Sequence, residues 1–297
     1  TVHALTDKGE AKVSLSPTGR EDQYIKEVQQ LLSTHVLGSP GGYPVYLKRW
    51  TRMGQQRGDN LDRLLLLGEP EAVVAVVHSP GLNAETARRA WWAFQDAEHA
   101  RQMLQRDTVA QDELAKELAA YLLEFLPFEE SHRAMIESVR LVLQPGLISE
   151  EQKADLWKRA RRKPSFYIGF LQTTPAELPM ESAAHPLQSD LSAKLQPLVD
   201  ADNMTAAHLD YLLNVEGQAW LKTVQQAMAK PNDQDVVVAL MELIGGYLAN
   251  VAIDQERRRD IESIRHDSEG AVAADSPAND DIAAVLSAAP ESAEMLQ

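Results

Sequence analysis

The segment Leu61–Gly81 reads Leu-Asp-Arg-Leu-Leu-Leu-Leu-Gly-Glu-Pro-Glu-Ala-Val-Val-Ala-Val-Val-His-Ser-Pro-Gly, and its pattern decides the fold class. One short apolar run ends at Gly68, and a second begins after Pro70. Glycine just after an apolar run and proline just inside the next one are typical of a helix end and a helix start. The segment therefore predicts two short buried helices, over 61–67 and 71–78.

The same pattern continues on the C-terminal side of this segment. Apolar residues recur at 3.6-residue spacing between Gly, Pro and capping residues, which favours amphipathic helices joined by short loops. The predicted helices cover 84–94, 96–106, 112–126, 131–143, 149–163 and 165–172. Asn83 is expected to cap the first of them, and Ser149-Glu150-Glu151-Gln152 has the spacing of a capping box for the fifth. In the third of them, Tyr121 and Phe125 fall on the face expected to be buried. No fixed period is present, so we expect a mainly α fold, an irregular helical-repeat-like array of short helices.

The N-terminal side begins with a different pattern. Apolar and polar residues alternate over 1–17 around the turn Asp7-Lys8-Gly9-Glu10, which predicts a small β-hairpin. A hairpin alone is marginally stable, so we expect it to pack on a helix or to pair with another strand. Thr18-Gly19-Arg20-Glu21 has the spacing of a capping box for a helix that ends near Gly38.

Residues Gly38–Gln55 combine a Gly/Pro-rich hinge with a short amphipathic segment. Helical geometry places Tyr46, Leu47, Trp50 and Met53 on one stripe, and Lys48, Arg49 and Arg52 on the opposite one. A phosphate-binding loop is the alternative interpretation, because glycines precede a helix start. No strand precedes it, and Pro44 removes an amide donor, so the pattern favours a docking element.

The C-terminal region is acidic. Residues 1–175 contain 22 Lys and Arg against 23 Asp and Glu, whereas residues 176–297 contain 7 against 21. A net charge of −15 is therefore compatible with a basic surface in the first half of the chain.

We expect four regions along the chain. They are a hairpin with a multi-helix body over 1–177, a Pro- and Ser-rich linker over 178–203, an acidic helical hairpin over 204–265 and a disordered acidic tail over 266–297. The two helices of the acidic hairpin are expected over 206–229 and from 235 to 259 or beyond. Gly245 and Gly246 in the second helix each cost about 1 kcal/mol against alanine, which is tolerable if they let another helix approach closely.

The composition excludes several classes of function. The chain has no cysteine, which excludes disulfides, thiolate metal sites, persulfide carriage and cysteine nucleophiles. No run of about 18 apolar residues occurs, so we expect no membrane span. Cysteine-free composition is compatible with the cytoplasm. The chain begins with Thr1, and we expect it to be a fragment or a processed product.

Two acid–histidine pairs are weak candidates for metal ligands. Asp96 and His99, and Glu129 and His132, each have the i, i+3 spacing found in di-metal carboxylate bundles. Such a site also needs carboxylates from two further helices. The alternative is that these acids cap helix starts, where the helix dipole favours them. We therefore predict neither a metal nor another cofactor, and no catalytic residue.

Two basic segments are the candidate interaction surface. The first contains Lys48, Arg49, Trp50 and Arg52, and the second contains Trp157, Lys158, Arg159, Arg161, Arg162 and Lys163. Cations beside aromatic rings suit RNA or an acidic protein partner. The alternative is a helix C-terminus, where cations stabilise the dipole, with a solvated face.

Several long stretches resemble the DsrS family. They are Gly38–Gln55, Leu64–His78, Ala90–Trp92, Phe125–Glu130 and Ser138–Leu147. The resemblance covers about residues 1 to 179 and includes no catalytic motif. Proteins of this family are encoded beside the reverse dissimilatory sulfite reductase (Dsr) system of sulfur-oxidising bacteria. The resemblance implies a cytoplasmic accessory or regulatory protein without established enzymatic activity.

We therefore expect a non-catalytic accessory or regulatory factor of sulfur oxidation that acts through protein–protein contacts. An RNA-binding post-transcriptional regulator is the first alternative, based on the two basic segments. A metal-dependent enzyme that uses the two acid–histidine pairs is the second.

Overall fold

The computed structural model describes residues 1–6, 8–37, 61–231 and 233–249. These residues form fourteen α-helices and a two-stranded antiparallel hairpin, which confirms the predicted mainly α fold. The chain divides into two compact units. We call residues 1–125 the N-terminal unit and residues 126–297 the C-terminal unit, and describe each by itself.

The predicted hairpin is present. Strands β1 (Val2–Thr6) and β2 (Gly9–Val13) pair with Val2 opposite Val13 and Ala4 opposite Ala11. Nearly all of its residues are exposed, so neither face of the hairpin is covered. One side-chain hydrogen bond, from the indole Nε1 of Trp92 to Glu10 Oε1, joins the hairpin to a helix of the same unit.

The helices of the N-terminal unit follow the Gly/Pro pattern of the sequence. They are α1 (Glu21–Leu37), α2 (Leu61–Leu65), α3 (Pro70–Val77), α4 (Ala84–Ala93), α5 (Ala97–Leu104), α6 (Asp107–Ala110) and α7 (Leu114–Phe125). Gly68 follows α2 with a φ of +67°, a left-handed conformation that favours glycine. Asn83 caps α4 by accepting a hydrogen bond from the N–H of Thr86 at 2.8 Å.

The start of α1 differs from the prediction. The backbone N–H groups of Gln23 and Tyr24 both donate to the carbonyl of Arg20, so Arg20 is the residue from which the helix begins. Thr18 lies two residues too early to cap it, and the capping box predicted over Thr18–Glu21 is wrong. The residues have the spacing of a capping box, but the helix begins later, at Glu21.

The core of the N-terminal unit is made by α2 to α7, whose apolar faces pack together. Its fully buried members come from several helices: Ala72, Val76, Val77, Ala87, Ala90, Ala100, Met103, Val109, Ala115, Leu118 and Ala119. Small alanines predominate among them, which lets short helices approach closely.

The C-terminal unit begins with a one-turn 3-10 helix, Leu126–Phe128, followed by seven α-helices. They are α8 (His132–Val142), α9 (Glu150–Ala160), α10 (Ser165–Thr173), α11 (Gln188–Val199), α12 (Met204–Leu213), α13 (Val215–Met228) and α14 (Gln234–Tyr247). Ser149 caps α9, and its hydroxyl and the Gln152 side chain complete the predicted capping box.

Helix α10 is the centre of the C-terminal unit. Every residue from Ser165 to Leu171 is buried, because α8, α9, α13 and α14 all pack against this helix. Its sequence is apolar on all sides, as expected of a helix surrounded by others. A close crossing with α8 lies at Gly169, where an added Cβ would lie 2.6 Å from Cγ1 of Val139. Thr173 Oγ1 extends this contact by donating to the carbonyl of Arg140 at 3.2 Å.

Residues 178–203, expected to be a linker, contain helix α11, which packs against α12. The backbone N–H of His185 also donates to the carbonyl of Leu213 at 2.9 Å. The segment is therefore part of the C-terminal unit. The division between the two units falls after Phe125, well before the predicted boundary at 177.

The single helix predicted over 206–229 is in fact two helices, α12 and α13. Asn214 separates them by adopting extended backbone angles and accepting a hydrogen bond from the N–H of Gly217 at 2.8 Å. Any side chain at Gly217 would meet the end of α12, because an added Cβ would lie 2.5 Å from the Cα of Leu212.

The second helix of the predicted acidic hairpin is α14. Its expected continuation to residue 259 and the expected disordered tail over 266–297 lie outside the described residues. Gly245 and Gly246 are exposed, and no described atom lies within 4 Å of a Cβ built on either. Within the described part of the chain, no helix approaches these two glycines closely.

Candidate interaction surface

The first acid–histidine pair has local roles in α5. The carboxylate of Asp96 caps this helix by accepting the N–H of Glu98 at 2.8 Å. His99 is buried, with Nδ1 3.2 Å from the carbonyl oxygen of Phe94 and its ring edge-on to the Phe94 ring. Both side chains therefore make local contacts that stabilise the connection between α4 and α5.

The second pair lies at the start of α8. Glu129 Oε1 accepts the N–H of Ser131 at 3.2 Å, and Nδ1 of His132 lies 2.7 Å from Oγ of the fully buried Ser165. This hydrogen bond between histidine and serine links the start of α8 to the start of α10. In the described ranges, no group of three or more metal-ligating side chains occurs that could hold an ion.

The second basic segment lies at the C-terminal end of α9. Trp157 is half-buried, and its ring packs edge-on against Tyr167 and Phe170 with centroid distances of 5.0 Å. Arg159 forms an ion pair with Asp155 at 2.6 Å. The indole is therefore used to pack α9 on α10, and Arg159 is already engaged by a carboxylate of its own helix.

The remaining cations of this segment are accessible. Lys158, Arg161 and Arg162 are exposed, and Lys163 is half-buried. Their place at the end of a helix fits the dipole interpretation. Lys48, Arg49, Trp50 and Arg52, the first basic segment, lie outside the described residues, so the structure describes only one of the two.

A different surface lies in the N-terminal unit, where the α4–α5 connection meets the end of α7. We call Phe94, Tyr121 and Phe125, with Asp96 and Glu124, the acidic aromatic patch. The Tyr121 ring stacks on that of Phe125, with a centroid distance of 4.8 Å and an interplanar angle of 16°. Phe94 is 40% exposed and Phe125 44%. The prediction that Phe125 is buried is therefore wrong, because the end of α7 extends past the core.

Tyr121 is held in place from two sides. Trp91, which is buried, contacts it edge-on at a centroid distance of 4.9 Å, and its own Nε1 donates to Glu117 Oε1 at 2.8 Å. The hydroxyl of Tyr121 lies 3.5 Å from the carbonyl oxygen of Gln95. The patch therefore rests on the core, although its outer rings are exposed.

Two carboxylates of the patch act on the phenol of Tyr121. Burial raises the pKa of the Tyr121 phenol, and the nearby carboxylates of Asp96 and Glu124 raise it further. Both carboxylates therefore act on the same ring. The sequence signal for this surface was available in the i, i+4 pair of Tyr121 and Phe125, but the helical period assigned both rings to the core.

Within the described residues, no helix has the length and apolar character needed to cross a membrane. Compared with known proteins, the chain matches no family model, no curated protein and no solved structure.

Proposed function

We propose that this chain is a non-catalytic accessory or regulatory protein that acts through protein–protein contacts. The observation that carries the proposal is the acidic aromatic patch, in which two phenylalanine rings are 40% and 44% exposed. Aromatic side chains are enriched at protein interfaces and in their energetic centres. Trp91 and Phe125 already fix the ring of Tyr121. Binding of a partner would therefore cost little side-chain entropy at this residue.

The biological setting is proposed from the resemblance to the DsrS family, carried by Gly38–Gln55 and the other stretches quoted above. In that setting the chain is a cytoplasmic factor of bacterial sulfur oxidation, with partners among the proteins of the Dsr system. The absence of cysteine is consistent with a regulatory role, because the chain cannot carry a persulfide itself.

RNA binding is the second candidate function, and the exposed cations Lys158, Arg161 and Arg162 are the observation that favours it. Base stacking needs an accessible ring, however, and the half-buried Trp157 packs on Tyr167 and Phe170. This arrangement favours protein contacts over single-stranded RNA.

Affinity purification from sulfur-oxidising cells tests the first proposal. The tagged full chain is expected to enrich proteins of the Dsr system relative to untagged extract and to an unrelated acidic helical bait. Enrichment of no pathway protein would contradict the sulfur-oxidation setting.

RNA affinity measured at several salt concentrations separates the second candidate. Phosphate contacts make binding weaker as salt rises, and Arg161→Ala with Arg162→Ala would lower the slope. Binding that is independent of salt and of these arginines would exclude it.

A further inference from the structure

We propose that the exposed edge of strand β2 pairs antiparallel with the same strand of a second copy of this chain. The product is a dimer with a continuous four-stranded sheet, in the strand order β1, β2, β2, β1. This pairing goes beyond the proposed function, because it needs no other protein. Its success or failure is therefore independent of whether a partner from another pathway protein is found.

The hairpin is an incomplete sheet. Among the described residues, β1 and β2 are the only strands, and they pair with each other alone. A two-stranded hairpin is marginally stable in water, and further strands add stability. Every residue of β2 is exposed, and its backbone makes no hydrogen bond to any described segment other than β1. The outer N–H and C=O groups of β2 can therefore pair with another strand.

The sequence of β2 is complementary to itself in one antiparallel register. Glu10 and Lys12 flank Ala11, and because they are two residues apart they project from the same face of the strand. A two-fold axis at Ala11 places Glu10 of each copy opposite Lys12 of the other. Opposite charges directly across from each other stabilise an antiparallel pair of strands. The dimer therefore gains two such pairs.

Other registers are penalised by the same two residues. Sliding one strand by two residues in one direction places Glu10 opposite Glu10, and sliding it in the other direction places Lys12 opposite Lys12. Like charges directly across from each other destabilise the pairing. A slip of one residue moves the side chains of one strand to the other face. The charges of β2 therefore specify the register centred on Ala11.

Both charged side chains are accessible. Glu10 accepts the indole N–H of Trp92 through Oε1 at 2.6 Å, whereas Oε2 has no hydrogen-bond partner among the described residues. Lys12 is exposed and forms no ion pair within the described part of the chain. Trp92 and Lys12 of the second copy can therefore share one carboxylate, with one oxygen each.

Alternative pairings lack this complementarity. Strand β1 has no acidic residue, so self-pairing about Ala4 would place His3 opposite Leu5. An apolar strand of another protein would offer no counter-charges to Glu10 and Lys12. Because the net charge of −15 opposes association of two copies, we expect a weak and reversible dimer.

Sedimentation equilibrium of the full chain over a wide range of concentrations, at fixed pH and ionic strength, tests the pairing. A reversible equilibrium between monomer and dimer is expected. A chain that remains monomeric at every concentration would overturn the proposal, as it would if the edge of β2 served only a strand of another protein.

Charge reversal locates the contact. Lys12→Glu places two acids opposite each other at both positions, and Glu10→Lys places two lysines there. Each variant is expected to self-associate about tenfold more weakly than the original chain, or less still. An equimolar mixture restores opposite charges at both positions, so the two variants should bind each other more tightly than either binds itself. A mixture that shows no such gain contradicts the pairing.

Lys8→Glu is the matched control. It changes the net charge by the same amount as Lys12→Glu, but at an exposed turn residue that lies before the paired strand. It is expected to leave the dimer affinity unchanged, and circular dichroism shows whether each variant is folded. Equal weakening by Lys8→Glu and Lys12→Glu would indicate a general charge effect. That result, or a dimer that Lys12→Glu does not weaken, would also overturn the proposal.

Discussion

The indole Nε1 of Trp92 donates a 2.6 Å hydrogen bond to Oε1 of Glu10, and this bond joins α4 to the exposed N-terminal hairpin. The two residues are 82 positions apart in the chain. Trp91, its neighbour, instead lies in the core and donates to Glu117. Adjacent tryptophans on one helix therefore serve two different parts of the N-terminal unit.

Trp92→Phe is expected to loosen the hairpin while leaving the helical core intact. The change keeps an aromatic ring but removes a hydrogen bond to a charged acceptor, worth about 1 kcal/mol at an exposed site. Amide hydrogen exchange in β1 and β2 should become roughly five-fold faster, whereas the thermal midpoint of the core changes little. Unchanged strand exchange would show that the hairpin is held by something else. Glu10→Gln, which keeps an acceptor but loses the charge, should give a smaller effect.

Gly169→Ala is expected to destabilise the C-terminal unit by about 1–3 kcal/mol, the usual cost of overpacking. The new methyl group would lie 2.6 Å from Cγ1 of Val139 and 3.1 Å from the backbone nitrogen of Arg140, so α8 and α10 would have to separate. Urea unfolding measures the effect. Gly245→Ala is the matched control, because no described atom lies within 4 Å of a Cβ built at this helical position. There the alanine should stabilise by roughly 0.5–1 kcal/mol. A loss of similar size at both positions would contradict the close crossing.

Ser149→Ala is expected to cost about 1 kcal/mol, because α9 would lose the hydroxyl that accepts from the N–H of Gln152 at 3.2 Å. Gln152→Ala should cost less, since it removes only the return bond to the N–H of Ser149. Chemical unfolding checks both. Ser14→Ala, in an exposed segment before α1, is the control and should be neutral.

Asp112 makes one part of the stability dependent on pH. Hydrogen bonds from the Arg88 guanidinium and from the N–H of Leu114 hold the pKa of Asp112 below its usual value. Because the pKa is lower in the folded state than in the unfolded one, this contribution is present above the unfolded pKa and is lost as pH falls through the folded pKa.

Arg88→Met is expected to raise the pKa of Asp112 towards that of a free aspartate, as carboxyl-carbon NMR would show. Arg89→Met is the matched control, because Arg89 pairs with Glu85 instead. It should leave the pKa of Asp112 where it is. An unchanged pKa in Arg88→Met would mean that the Leu114 amide alone accounts for the shift.

Gly and Pro residues at the helix boundaries made most of the helices predictable from the sequence. Gly68 and Pro70 separate α2 from α3 in the structure as the pattern indicated, and Asn83 and Ser149 cap the helices they were expected to cap. Local signals of this kind act through backbone conformation within a few residues. Helix boundaries of this kind can therefore be predicted without the tertiary structure.

The missed features depend on contacts that are distant in sequence or on competing local signals. The sequence of helix α11 predicts a linker, because its apolar pattern is weak beside its Ser and Pro content and Pro197 lies inside it. At the break, Asn214 has extended backbone angles and caps α13, and the chain is so close there that a Cβ on Gly217 would meet Leu212. Neither feature changes the apolar period on which the predictions were based.

The same reason applies to the candidate surfaces. The cations at the end of α9 were found by composition, but the packing of Trp157 depends on Tyr167 and Phe170 of the next helix. The acidic aromatic patch joins the end of α7 to a loop before α5. The charge and exposure of the patch depend on this tertiary contact, which the helical period of the sequence does not predict.

The complete burial of α10 has a consequence for how the chain is made. Two of the helices that cover it, α13 and α14, follow it in the sequence, so a ribosome releases α10 before its cover has been synthesised. Until then α8 and α9 can shield only part of an apolar helix. Folding of the C-terminal unit is therefore completed only after α14 has been synthesised, and a chain that terminates soon after Thr173 would expose α10 as a surface for chaperones or aggregation.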